Sequence, residues 1–272
     1  MSADHCPYFA DGTLSVPLPV LVAHRLHQRG IMAKPFTEWT VLPHGKPILL
    51  DDKLLTVTGL LHMPPMGDVE RRMTVVRLGD GRLVVYSAIA LDEEAMRALE
   101  DFGTPAFLVV PSDIHRMDAR AWKQRYPRME VVAPAGARAK IEEIVHVDAT
   151  EVDFGDAGVR FVTVEGTGAR EAALLVETKS GTTLIVSDVI FNLANRPGLG
   201  GWLWKTIGMT GDEPHLPRLV RMRRVEDKGA IQAQLHSWSR LPNLNRVILA
   251  HGSMVTADAP RILGRIADEL AA

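Results

Sequence analysis

The sequence predicts an α/β fold in which two central sheets carry helices on their outer faces, a four-layer αββα sandwich. Two observations predict it. Short apolar runs rich in Val, Leu and Ile alternate with longer segments of helical period through most of the 272 residues. Strands followed by mixed helices and strands occur twice along the chain, and each set needs its own sheet with helices to cover it.

The elements follow in order. Residues 1–45 are rich in Pro, Gly and His, and read as an N-terminal extension packed on a main domain of residues 46–272. PVLVAHRLHQRG is a short helix candidate there, with Gly30 suited to the position after its end. KLLTVTGLL, MTVVRLGDG and RLVVYSAIAL read as three strands, and the Gly-Asp-Gly at 79–81 supplies a hairpin turn between the last two. DEEAMRALEDFG is a helix: Asp92 can cap it, Met96 and Leu99 share a face, and Gly103 closes it. AFLVVP is a buried strand, DARAWKQRYP a helix stopped by Pro127, MEVVAP a strand and AGARAKIEEI a helix. GVRFVTVEG, AALLVETKSG and TTLIVSD are three more strands, the last two joined around Ser180 and Gly181. Residues 192–217 form a long segment rich in Gly, Pro and Trp. PRLVRMRRVEDKGAIQAQLHSW is largely helical, RVILAHG is a strand, and APRILGRIADELAA is the terminal helix.

Composition narrows the function classes. A net charge of −2 argues against a nucleic-acid or anionic-membrane partner. No apolar stretch approaches the roughly 20 residues of a membrane helix, and the start MSADHCPYFADG lacks the pattern of a signal peptide. The single cysteine, Cys6, allows no internal disulfide framework and points to a reducing, cytoplasmic setting. These features leave a small-molecule substrate or ligand, with a homo-oligomer open.

The chemistry gathers at strand ends, because the first polar group beyond a buried strand is where a site can be built. Asp188 ends TTLIVSD, His251 ends RVILAHG, and His115 lies four residues past AFLVVP in PSDIHRMDARAW. Carboxylate and imidazole are the ligands of hydrolytic zinc, iron or manganese sites, where a bound water becomes available as hydroxide near neutral pH. Each residue also has a simpler reading: Asp188 as a turn or cap, His251 and His115 as loop-stitching side chains. Asp118 reads as a cap of the helix starting at Ala119, and Asp113 is a second candidate for the His115 role.

The order of these elements, with a strand ending in Asp and a later strand ending in His-Gly, resembles the metallo-β-lactamase superfamily over roughly residues 50–260. RRMTVVRLGDGRLVVYSAIAL, the His115 to Trp122 spacing, YPRMEVVAP and ILAHG are similar to a branch of unknown function within it. The resemblance implies the αββα sandwich of metallo-β-lactamase type. It also implies a site in which Asp188 and His251 match family positions. The family's H-x-H-x-D-H is matched only in part: with His115 in the place of the second histidine, Met117 stands for the Asp and Asp118 for the last His. Thr167, in VEGTGAREAALLVE, stands where the next metal histidine is expected. A dinuclear site is therefore not expected; His115, Asp188 and His251 are left to hold one zinc, iron or manganese ion, with Asp188 and His115 as the catalytic pair.

Other residues carry weaker signals. His62 follows an apolar strand and could line the cleft. Trp202 and Trp204, in the long 192–217 segment, read as facing opposite sides, as core closure or as an aromatic wall over substrate. Arg218, Arg221, Arg223 and Arg224 read as a solvated helix face. His24 and His27, at i and i+3, read as surface or packing histidines. No G-x-S-x-G serine motif, phosphate loop or dinucleotide fingerprint is present. Two functions follow: a metal-dependent hydrolase-like protein acting on an ester, lactone, thioester or phosphoester, or a metal-free descendant that binds a ligand or partner without catalysis.

Overall fold

The computed structural model describes residues 34–63 and 67–271. The helix candidate at 19–30, His24, His27 and Cys6 lie outside the described residues.

Among the described residues, ten strands form two sheets. The first contains β1 (Ile48–Asp51), β2 (Leu54–Met63), β3 (Gly67–Arg77), β4 (Arg82–Tyr86), β5 (Thr104–Val109) and β6 (Glu130–Val132), side by side in that order. Strands β1 to β4 run antiparallel; β5 and β6 continue the sheet in parallel with β4. The second sheet has the order β10 (Leu244–Leu249), β9 (Gly181–Val186), β8 (Ala172–Thr178), β7 (Val159–Thr163), with β10 parallel to β9.

Period-two alternation divides the first sheet between two cores. Val75 and Val85 face outward into a core with Met96, Leu99, Trp122 and Ile141. Their neighbours Val76, Val84 and Tyr86 face inward, against Leu174, Val176, Ile185 and Ile248 of the second sheet. The outer face of the second sheet packs Leu184, Val186 and Val247 against Ile231, Leu235, Trp238 and Leu263. Helix, sheet, sheet, helix is the resulting order, as the strand and helix pattern predicts.

Helix α1 (Glu93–Phe102) is capped by Asp92, whose side chain accepts from the Ala95 amide at 2.8 Å. Asp92→Ala should cost about 1 kcal/mol, read as a lower urea midpoint with an unchanged slope. Gly103 does close the helix, but for a reason of space: a Cβ there would meet the Gly81 carbonyl at 2.4 Å. Helix α2 (Ala119–Arg125) seats Trp122, which is fully buried and donates its ring N–H to Ile89 O at 3.1 Å. The segment before β1 lies on this layer: the Trp39 ring stacks on Trp122 at 5.4 Å, and its N–H donates to Leu91 O.

Three details depart from the sequence reading. Ile48–Asp51 is a separate edge strand, and β3 begins at Gly67 rather than Met73. The expected helix at 135–144 is a 3₁₀ turn, Ala135–Ala137, followed by α3 (Arg138–Glu142). The long segment holds a helix of its own, α4 (Gly198–Thr206), and the helical stretch after it is two helices, α5 (Arg218–Arg224) and α6 (Lys228–Ser239). The break comes from Asp227, whose side chain accepts from the Ala230 amide and starts a new helix. Helix α7 (Ala259–Ala271) ends the chain's described part. Among the described residues no helix is long and apolar enough to cross a membrane.

Candidate metal centre

The site sits where the ends of β4, β9 and β10 meet the loop after β5. Asp188 lies two residues beyond β9, His251 two beyond β10, and His115 in the loop between β5 and α2. One ligand atom from each lies within 4.8 Å of the others. His115 Nε2 is 2.9 Å from Asp188 Oδ1, and His251 Nε2 is 3.4 Å from the same oxygen. The two imidazole rings stand 5.1 Å apart, centre to centre.

Each ring is oriented from behind. His251 Nδ1 donates to the Glu70 carbonyl at 2.7 Å, and Ser87 Oγ lies 2.8 Å from His115 Nδ1. A carbonyl can only accept, so His251 carries its proton on Nδ1 and its neutral form turns an Nε2 lone pair toward the Asp188 carboxylate. Two lone pairs 3.4 Å apart repel unless a cation or a proton lies between them. A tetrahedral ion with bonds of about 2.1 Å sets its ligands about 3.4 Å apart, so the donor set fits such an ion.

The backbone explains the His-Gly pair. Gly252 has φ +85°, and a Cβ there would meet the Asn192 carbonyl at 2.1 Å. Strand β3 clamps the same turn: Arg72, buried between the sheets, donates to the carbonyls of Leu249 and Gly252 at 2.8 and 2.7 Å.

Asp188 is buried. Burial opposes its ionisation, but the charge and hydrogen bond of His115, with those of His251, hold the carboxyl well below the usual carboxylate range. Behind it lies a second buried network. Ser187 Oγ donates to Glu171 Oε2 at 2.5 Å; Arg224 donates to Glu171 Oε1 at 3.1 Å and to Asp113 Oδ1 at 2.5 Å. Glu171 is fully buried, and burial together with the Asp188 charge pushes its carboxyl up to about 8, against the pull of Arg224.

Several expected roles change. Asp118 occupies the position before α2 but does not cap it. It is buried, takes the Ala90 amide at 3.0 Å and pairs with Arg71, so it braces two loops instead. Asp113 serves Arg224. Arg224 leaves the solvated face that Arg218, Arg221 and Arg223 keep, because Glu171 needs a buried cation. Thr167 is buried and spends its hydroxyl on Val164 O at 2.7 Å. His62 is exposed near the tip of the β2–β3 hairpin, paired with Asp68, and is not drawn into the His115 cluster. On α4 Trp204 is buried at 5% exposure and Trp202 is 63% exposed, so the two do face opposite sides. Trp204 packs with Val69, Phe191 and Leu193, and Phe191 in turn stacks on His251 at 4.6 Å.

Sequence reasoning passes over Ser87, Glu171, Arg72 and the Glu70 carbonyl. Ser87 carries a legible signal: it is the first polar residue after the apolar strand RLVVY, the same rule that marks Asp188. The carbonyl of Glu70 carries none, since every residue has one.

No protein-family model matches the chain, and no curated protein matches it. Solved structures do. A metallo-β-lactamase from Hirschia baltica is 12% identical with a TM-score of 0.56, over 83% of this chain and 98% of that one. The metallo-β-lactamase FIM-1 from Pseudomonas aeruginosa, in its mono-zinc form, is 13% identical at 0.55, over 84% and 96%. The metallo-β-lactamase DIM-1 exposed to ceftazidime is 14% identical at 0.57, over 85% and 99%. The chain has the metallo-β-lactamase fold.

Proposed function

We propose that the chain is a hydrolase-like protein with a reduced site of at most one zinc, iron or manganese ion, held by His115 Nε2, Asp188 and His251 Nε2. The observation that carries this reading is the convergence of those three donors within 4.8 Å, with His251 already in the ligating tautomer. An ion there would lower the pKa of a bound water to about 7 and supply hydroxide for attack on an ester, lactone, thioester or phosphoester. The chain's own contribution is placement. Glu70 and Ser87 orient the two imidazoles, and Ser112 Oγ, 3.5 Å from Asp188 Oδ2, steadies the carboxylate. Met117 and the committed hydroxyl of Thr167 offer no further ligand, which is why a second ion is not proposed. We further propose a small-molecule substrate, a cytoplasmic setting, and residues 1–45 as an extension of the 46–272 domain, with Trp202 and Trp204 beside the cleft.

Metal content tests the reading. The untagged chain should carry close to one equivalent of zinc, iron or manganese after purification, and His251→Ala should lose it. A metal-free wild-type chain that takes up none of these ions at micromolar concentration would leave the alternative, a metal-free protein that binds a ligand or partner. One contact favours that second reading: the 2.9 Å His115–Asp188 hydrogen bond is complete without an ion.

A further inference from the structure

Helix α4 turns an apolar stripe to solvent. At 3.6 residues per turn, Leu199 and Trp202 share one side of the helix, opposite the buried Gly201 and Trp204. Leu199 is 88% exposed and Trp202 is 63% exposed, while Trp204 packs inward with Val69, Phe191 and Leu193. Single exposed apolar residues need no explanation, but two large ones on adjacent turns of one helix form a patch. Helix α5 adds to it. Met222, 58% exposed, shares the outward side of α5 with Arg218 and Arg221, while Val220 and Arg224 point inward.

The two helices meet at Gly208. Its amide donates to Lys205 O at the end of α4, and its carbonyl accepts from the Arg218 amide that starts α5. The approach is close enough that a Cβ on Gly208 would meet the Arg218 Cβ at 2.6 Å. Lys205 and Arg218 are both exposed beside this junction. Between residues 193 and 225 six cations stand against two acids, Asp212 and Glu213. Both acids are already engaged: Asp212 accepts from Asn195, and Glu213 pairs with Arg265. The next acid, Glu226, pairs with Arg170. Lys205, Arg218 and Arg221 are left without a carboxylate partner among the described residues. The net charge of −2 is a sum over the whole chain, and it conceals this cationic face.

We propose that this face docks the chain on an anionic phospholipid surface. Leu199 and Trp202 enter the boundary between headgroups and acyl chains, where an indole can bury its ring and keep its N–H wet. Lys205, Arg218 and Arg221 meet the anionic headgroups. An apolar stripe flanked by cations is the pattern that lies on a membrane rather than crossing it, and the two attractions add. No spanning helix is required. A second copy of the chain suits the face poorly, because a two-fold contact would set the same cations against each other. A nucleic acid would satisfy the cations but would place Leu199 and Trp202 against a charged backbone. The inference is independent of the metal reading and shares no side chain with its ligands.

The test is flotation of the full-length chain with two kinds of vesicle, phosphatidylcholine alone and phosphatidylcholine with roughly a third phosphatidylserine. The chain should float with the anionic vesicles and not with the neutral ones. Added salt should release it, because screening shortens the reach of the charges. Leu199→Ser with Trp202→Ser should weaken binding about tenfold or more. Arg218→Gln with Arg221→Gln should weaken it roughly 30-fold. All four side chains are exposed, so both double variants should keep the wild-type Tm. Equal flotation with both vesicle types overturns the inference, as does none with the anionic ones. Flotation unchanged in either double variant overturns it too, since the contact would then lie elsewhere on the chain. A dimer in sedimentation velocity that Trp202→Ser dissolves would give the face to a second copy and overturn it as well.

Discussion

At pH 9, where Glu171 is ionised, Arg224→Met should destabilise the chain by about 3–5 kcal/mol, the cost of leaving a buried charge without its partner. For a chain of this size that lowers the Tm by roughly 10 °C. Arg224 bridges Glu171 and Asp113, and Glu171 has no solvent access at all. The hydrogen bond from Ser187 remains in the variant, but it carries no charge. The pH dependence identifies the cause. Burial and Asp188 raise the Glu171 carboxyl from 4.5 to about 8. A group raised on folding contributes stability that is full below its unfolded value and is lost as pH rises through its folded value. Without Arg224 the folded value climbs further, so the defect should be smallest near pH 5 and deepest near pH 9. Urea midpoints at pH 5, 7 and 9 measure this, and adding Glu171→Gln to the variant should recover most of the loss at high pH. An equal defect at every pH would point to lost packing of the arginine stem instead.

Asp188→Asn should lower metal affinity by more than about 100-fold, since even residues that merely support a ligand cost 10–100-fold. The asparagine keeps the shape and an acceptor for His115 but loses the charge that both histidines face. Titration of the stripped chain with cobalt or zinc by calorimetry measures the change. Stability gives a second readout. The Asp188 carboxyl is lowered on folding, so its contribution is present above the ordinary value of 3.8 and is lost as pH falls through the depressed one. The wild type should therefore exceed the variant near neutrality and converge with it in strong acid. A variant with wild-type affinity would remove Asp188 from the ligand set.

Much of this was legible in the chain itself. The strands are short apolar runs with turn residues between them, and α1 announces both of its ends through Asp92 and Gly103. Asp188 and His251 are legible because each is the first polar residue past a buried run, where packing no longer dictates the side chain. Asp118 and Arg224 were not legible in the same way. Both sit at positions where local rules suggest a cap and a solvated face. Their partners, Arg71 and Glu171, are 47 and 53 residues away, and a buried charge takes the counter-charge that the fold supplies. The division at Val225 was hidden because Asp227 reads as one acid in a polar stretch until its side chain is seen to hold the Ala230 amide.

By itself, then, the sequence determined the two sheets, their outer helices and the two strand ends that bear Asp188 and His251. Hydrophobic period and turn chemistry are local, and they act over a few residues at a time. Tertiary structure alone decided that His115 meets Asp188 from 73 residues away, that a carbonyl of β3 sets the tautomer of His251, and that Ser87 stands behind His115 in a left-handed turn. Those contacts cross between strands and sheets, and which nitrogen of an imidazole carries the proton depends on the atom opposite it, which no local pattern records.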